Sequence, residues 1–255
     1  APFDSISAAE AQTIAATVRE LGTTDSLTHS STLKVAGATL TAAADGKIGG
    51  TVEAAGKIFD VALLTAGSTL PAGGAEACKA LRKALADAAR YRGFAKYISG
   101  DSATVKLANK LVSLEISNKG AEIARAVLND YSSYDSTAVE MMSPATNSYG
   151  FTLTTATQRF DTREFFFTPH QVGDSIVEMS LDLGDGATFA IRYTLLPDSY
   201  LVRMDVLQNG MQAVIPSTVA SMDFSWKQKM PRNEAGRVFE ERNSALYYMF
   251  MDGDV

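Results

Sequence analysis

Cysteine occurs once in the 255 residues, at Cys78. A lone thiol forms no intramolecular disulfide and excludes a cysteine-rich zinc site. It leaves the compartment open, because oxidising surroundings permit disulfides without requiring them. Histidine is nearly as scarce: His29 lies in a Thr/Ser-rich stretch and His170 follows Pro169, and neither stands in a catalytic triad motif. No G-x-G-x-x-G and no G-x-x-x-x-G-K-[ST] run is present, which removes the common nucleotide-phosphate cradles. Nor does any stretch approach the ~20 apolar residues of a membrane-spanning helix. Residues 61–75 come nearest, uncharged but interrupted by Thr, Ser, Gly and Pro. The chain therefore reads as soluble. Starting at Ala1 without a Met or a basic leader, it also reads as a processed chain or as a recombinantly expressed piece.

Charge is unevenly spread. Residues 1–100 carry 10 basic and 9 acidic side chains, whereas residues 101–255 carry 13 and 20, for a net charge of −6 over the whole chain. An acidic second part is unsuited to nucleic acid, since neutralising phosphates takes clustered Lys and Arg. With 46% hydrophobic and 20% charged residues, the composition is that of a folded chain.

In the first part, Ser7 with Glu10 three residues on forms a capping box, and Ile14, Val18 and Leu21 recur at helical spacing before Gly22. Residues 23–75 are rich in Ala, Gly, Thr and Ser, with short alternations at 39–43 and 57–63. They read either as small strands of a separate module or as a weakly packed linker. A second helix is expected over 76–91, with Ala77, Leu81, Leu85 and Ala88 on one stripe. Lys79, Arg82, Lys83, Arg90, Arg92 and Lys96 accompany it, as a solvated face or as an attraction for anionic lipid headgroups. Gly100 and Asp101 then divide a helical, low-complexity region at 1–101 from a β-region at 102–255.

The second part is organised around residues 111–134. Val112, Leu114 and Ile116 alternate with Ser113, Glu115 and Ser117, the period of a half-buried strand. Asn118, Lys119 and Gly120 supply a turn, and a second strand follows with Ile123 and Val127 on one side and Ala124, Ala126 and Leu128 on the other. Further on, residues 176–183, Gly184-Asp185-Gly186, residues 189–196 and residues 200–206 read as an antiparallel meander. Met222, Phe224 and Trp226 read as one more core face, and 238–250 as one or two strands.

Five features resemble, in order, the periplasmic domain of the YidC membrane protein insertases, the Bacteroidetes-type members most. They are the hairpin LVSLEISNKGAEIARAVLNDY, the aromatic run at 165–169, the strand at 189–196 with Asp198-Ser199-Tyr200, Gln208-Asn209-Gly210, and Ser244-Ala245-Leu246-Tyr247-Tyr248. They cover roughly residues 104–250. The resemblance implies a mainly β fold, a large twisted antiparallel β-sandwich (a supersandwich similar to galactose mutarotases), behind a helical N-terminal region. It implies a non-catalytic accessory role in the bacterial inner membrane, with this part in the periplasm and a membrane anchor elsewhere in the full-length protein. The implied partners are nascent membrane proteins and accessory subunits of the Sec translocon.

The sugar-ring chemistry of the mutarotases needs histidines with a carboxylate in one cleft, and His170 is the one histidine of the β-region. No enzyme activity, cofactor or metal is therefore expected. Phe165, Phe166 and Phe167 cannot all point inward along a strand, and the same holds for Tyr247 and Tyr248. These five residues form either an apolar binding surface or groove, or the two covered faces of inner strands. The rival function is a free-standing periplasmic or surface carbohydrate-binding sandwich. The family's domain continues with further strands beyond the Tyr-Tyr segment, so the β-region is expected to be incomplete at its C-terminus, with an unpaired edge and an uncovered apolar face.

Overall fold

A computed structural model of the chain describes residues 5–65 and 74–245. In the first part, α1 (Ala8–Leu21) starts at Ser7. The Ser7 hydroxyl accepts from the Glu10 backbone, and the Glu10 carboxylate accepts from the Ser7 N–H in return. Five strands follow as an antiparallel meander in chain order: β1 (Thr23–Thr24), β2 (Ser31–Val35), β3 (Ala38–Ala42), β4 (Lys47–Ala54) and β5 (Lys57–Leu64). Leu33, Leu40, Ile48, Val52, Val61 and Leu63 turn inward at strand period. They pack under α1 and under α2 (Ala75–Tyr91), whose buried stripe is Ala77, Cys78, Leu81, Ala84, Ala88 and Tyr91, with Leu85 partly covered. Residues 23–64 are thus strands, and their small side chains have a packing reason. At Gly50, with φ +130°, a Cβ would lie 1.9 Å from the Thr39 carbonyl oxygen, so a low-complexity composition here marks close strand approach.

Five of the six basic side chains near α2 have partners within the chain. Arg82 pairs with Glu10, Lys83 with Asp87 and Arg92 with Glu20, while Arg90 lies over the Tyr91 ring and Lys96 over the Tyr97 ring.

A 3-10 turn (Arg92–Tyr97) leads through Gly100 and Asp101 into the second part. There β6 (Thr104–Ala108), β7 (Val112–Ser117), β8 (Ile123–Ser132) and β9 (Ala138–Met142) form one sequential antiparallel sheet. β10 (Asn147–Thr154) then lies between β11 (Arg159–Asp161) and a strand far along the chain. β12 (Thr168–Val172), β13 (Ile176–Gly184), β14 (Ala187–Leu195) and β15 (Val202–Asn209) make the expected meander, and β16 (Asp223–Gln228) returns to pair with β10. A short helix, α3 (Arg237–Asn243), follows where strands were expected. Its Arg237 and Glu241 pair one turn apart, and Glu240 accepts from the Asn233 N–H. Among the described residues the chain is mainly β, in antiparallel sheets stacked in a sandwich-like arrangement.

The parity expected for β8 is corrected by a bulge. Glu115 pairs with Arg125 but Ile116 with Ile123, so one extra residue shifts the register and brings Ile123, Ala126 and Leu128 to the same face. The two parts meet through aromatic rings. Phe94 stacks on Phe165 with centroids 5.0 Å apart, Tyr91 stacks on Phe160 at 5.4 Å, and the Tyr91 hydroxyl donates to Glu164 at 2.7 Å.

Two outcomes test this account. Gly120 holds φ +76°, and a Cβ there would lie 3.3 Å from the Arg163 Cα. Gly120→Val is expected to cost at least about 1 kcal/mol, since a β-branched residue is strained at positive φ. An unchanged thermal melt would remove the turn from the argument. The second outcome is a titration. The hydrogen bond from Arg82, aided by the one from Ser7, lowers the Glu10 carboxyl from its ordinary 4.5 to about 2. Because the folded value is the lower one, the pair's contribution is full above about pH 4.5 and is lost as pH falls through about 2. Carboxyl NMR on the Arg82→Gln variant should show the midpoint moving back toward 4.5.

Candidate functional site: an apolar cleft

A large concavity lies between the β6–β9 sheet and the β12–β15 sheet, with β10 and β16 beside it. It is an apolar cleft of about 600 Å³. Val112 and Leu114 of β7 and Ile123, Ala126 and Leu128 of β8 form one wall. Val202 and Met204 of β15 form part of another, and Phe224 and Trp226 of β16 a third. Met141 and Met142 line it as well, and unbranched thioether side chains adapt to differently shaped partners. At the rim the Tyr131 and Tyr200 rings stand 6.4 Å apart.

The polar groups of the floor are committed internally. The Tyr193 hydroxyl donates to the Ala121 carbonyl at 2.7 Å and lies 2.8 Å from the Tyr149 hydroxyl, which accepts from the Ile123 N–H at 2.7 Å. Burial pushes the Tyr149 phenol up to about 12 and holds the Tyr193 phenol well above its ordinary value, so neither exchanges a proton near neutral pH. Asn147 bridges similarly, donating to the Ile123 carbonyl at 3.1 Å and accepting from the Trp226 indole N–H at 2.9 Å. That last bond fixes the indole. What remains open to a ligand is apolar surface and ring faces, suited to binding and without an acid, base or nucleophile in place. Among the described residues no group of three His, Cys, Asp or Glu is placed to hold a metal. His29 and His170 are both exposed, and His170 lies on β12 opposite Glu178.

The phenylalanines singled out from sequence lie elsewhere. Phe165 and Phe167 are buried, the former in the aromatic joint between the two parts and the latter near Phe189. Phe166 faces the other way, half-buried beneath the Lys119 ammonium 4.1 Å from its ring. The run is pinned by its backbone: the Phe166 N–H donates to the Tyr97 carbonyl, the Phe167 N–H donates to the Asn118 carbonyl, and the Phe165 carbonyl accepts from the Gly120 N–H. Of the three, Phe165 and Phe167 are withdrawn from solvent and Phe166 is partly open. Tyr247 and Tyr248 lie outside the described residues.

Sequence reasoning placed Phe224 and Trp226 in the core, and here too the structure differs, with 45% and 56% of their surfaces exposed. The alternation correctly put both on one face, but period alone says nothing about whether another layer covers that face.

A sequence profile of the family described as "YidC periplasmic domain" matches residues 104–251. Among curated proteins, "Membrane protein insertase YidC" of Parabacteroides distasonis is 37% identical over 151 residues, 58% of this chain and 24% of that protein. The protein of the same name from Porphyromonas gingivalis is 30% identical over 167 residues, 65% of this chain and 27% of its own length. The one from Phocaeicola vulgatus is 30% identical over 149 residues, covering 58% and 24%. The chain thus spans about a quarter of the length of the curated relatives it matches. No solved structure matches it.

The cleft floor yields a stability prediction. Tyr193→Phe deprives the buried Ala121 carbonyl of its donor and the Tyr149 hydroxyl of its neighbour, at a cost of about 1–3 kcal/mol. Tyr149→Phe strands the Ile123 N–H at a similar cost. Because the two hydroxyls share one network, chemical denaturation of the single and double variants should be non-additive by more than about 0.5 kcal/mol. Simple additivity would mean that the two rings act separately.

Proposed function

The chain belongs to the YidC periplasmic domain family, and from that membership we propose that its cleft receives extended apolar polypeptide, without chemistry, as the accessory domain of a membrane protein insertase. The observation that carries the reading is the cleft itself, about 600 Å³ of apolar lining with an indole and a phenyl ring open to solvent. The clients in this reading are nascent inner-membrane proteins. The domain stands on the periplasmic side of the membrane, anchored through another part of the full-length protein and in contact with accessory subunits of the Sec translocon. Ring faces and thioethers give affinity with little selectivity, which suits a protein that meets many clients. Each large aliphatic side chain buried there contributes about 1.5–3 kcal/mol before ordering costs, so two or three anchors give a weak, quickly reversed complex.

The rival carbohydrate-binding reading is poorly supplied. A sugar needs hydrogen-bond partners beside its aromatic platform. Here the Tyr149 and Tyr193 hydroxyls and the Trp226 indole N–H are already taken.

Titration of the 255-residue chain with unrelated transmembrane-segment peptides, followed by Trp226 fluorescence, tests the proposal. Dissociation constants in the micromolar range or weaker, similar across the set, are expected. Tight binding of one peptide alone, or saturable binding of a monosaccharide and of none of the peptides, would overturn it.

A further inference from the structure

Where the first part meets the second, a polar hollow of about 400 Å³ lies between β2, the 3-10 turn at 92–97 and the turn from β13 into β14. The sequence of β2 decides what faces it. Ser31, Leu33 and Val35 are buried at strand period, so Thr32 and Lys34 point the other way. Thr23, opposite Thr32 on β1, brings a second hydroxyl to the lining. Arg92 and Lys96 enter from the 3-10 turn, and Gly184 closes the side that belongs to the second part.

Three cations thus line one hollow in a chain whose net charge is −6, and among the described residues no carboxylate lines it. Acids stand only at its margin. Glu20 lies beyond Arg92, Glu53 borders an adjoining hollow with Lys34 and Lys96, and Asp182 accepts from the Gly184 N–H. Nor are the cations neutralised. Lys34 makes no ion pair or side-chain hydrogen bond among the described residues. The Arg92 guanidinium stands 3.7 Å from the Glu20 carboxylate with both side chains about two-thirds open to solvent, at 66% and 65%. Lys96 lies 5.1 Å from the Tyr97 ring centroid, which supplies a ring face and no counter-charge.

The backbone gives an independent sign. Arg92 holds φ +49° and ψ −122°, a region that residues with a side chain rarely adopt, although a glycine that would take it freely stands next in the chain. Strain of this kind persists where the surrounding fold holds it, and it gathers at ligand clamps.

We propose that this hollow binds a phosphate group, in the form of a phosphate mono- or diester, with Arg92, Lys34 and Lys96 as its charge partners and the Thr23 and Thr32 hydroxyls as donors. A guanidinium fork beside two ammonium groups matches the several oxygens of phosphate. The Thr32 hydroxyl, 3.1 Å from that of Thr41, can accept from Thr41 and donate to the ligand. The volume falls within the range of small-molecule sites, about 300–1,000 Å³, and leaves room for the organic part of an ester. For a domain on the periplasmic side of an inner membrane, such a group comes from a lipid headgroup or from a soluble ester. Because the lining is drawn from both parts, the occupant also ties one part to the other. The inference is independent of the apolar cleft and its clients.

Glycerol 3-phosphate titrated into the 255-residue chain at fixed ionic strength, followed in amide and arginine Nε NMR spectra, tests it. Saturable shifts are expected at Lys34, Arg92 and Gly184, with a dissociation constant of about 1 mM that rises with added salt. Lys34→Gln and Arg92→Gly should each weaken binding about fivefold. Lys79→Gln, at an exposed lysine of α2 outside the hollow, should leave it unchanged. Arg92→Gly should also melt no lower than the parent chain, because glycine takes the positive φ freely, so that its loss of binding is not a loss of fold. Shifts that stay linear with concentration, or equal binding by Lys34→Gln and the parent, would overturn the proposal and leave a solvated basic face. Cosedimentation with vesicles containing phosphatidylglycerol but not with pure phosphatidylcholine, lost in Lys34→Gln, would identify the source as a lipid headgroup. Binding of glycerol 3-phosphate without binding of either vesicle would identify it as a soluble ester.

Discussion

Between β7 and β8 the chain leaves its own ladder, so the backbone groups of that turn must find partners in other layers or go unpaired. They find them on every side. The Asn118 carbonyl accepts from Phe167 and the Gly120 N–H donates to Phe165, joining the turn to the phenylalanine run. The Ala121 carbonyl and the Ile123 N–H are held by Tyr193 of β14 and Tyr149 of β10. The Asn118 side chain closes on the entering chain, donating to the Asp101 carbonyl and accepting from the Ala103 N–H. One short segment therefore sets the spacing between three sheets. The cleft is the space left where those sheets diverge.

The same constraint explains the phenylalanine run. Successive side chains of an extended segment point to opposite sides, and here the two sides are different kinds of surface. Phe165 enters the joint with α2 and the 3-10 turn, Phe167 enters the second part's own core, and Phe166 is left on the outside beneath a lysine. One phenylalanine of the run thus fastens the two parts together, and the open aromatic surface comes from β16 instead.

Local rules were legible where one residue's chemistry decides the outcome. The Ser7 and Glu10 box starts α1 as read, Gly120 takes the positive φ its turn demands, and the alternation from Val177 through Leu195 gives the β13 and β14 faces. What escaped depends on partners distant in sequence. The bulge of β8 is visible only against its register with β7, and a parity count run straight through it put Leu128 on the wrong face relative to Ile123. The Ala/Gly/Thr composition of β2 to β5 looked weak because strand propensity undervalues small residues that allow close approach, as at Gly50. Whether Phe224 and Trp226 are covered is set by which layers lie opposite, and no period in the sequence carries that.

The connectivity of β10 bears on how the chain is made. The first part's strands pair in the order of synthesis, so each closes on the one just before it, a low-contact-order arrangement that can form as the chain emerges. β10 receives β11 at once, but its other neighbour is β16, with Asn147 opposite Gln228. Until that distant strand has left the ribosome, the central strand of its sheet presents a bare edge and the rings of Tyr149 and Phe151 lack the phenyl group that later packs on them. The β6–β9 and β12–β15 sheets can close in chain order, but the sheet of β10 is completed late, and the interval before β16 arrives is when its bare edge is most exposed to mispairing.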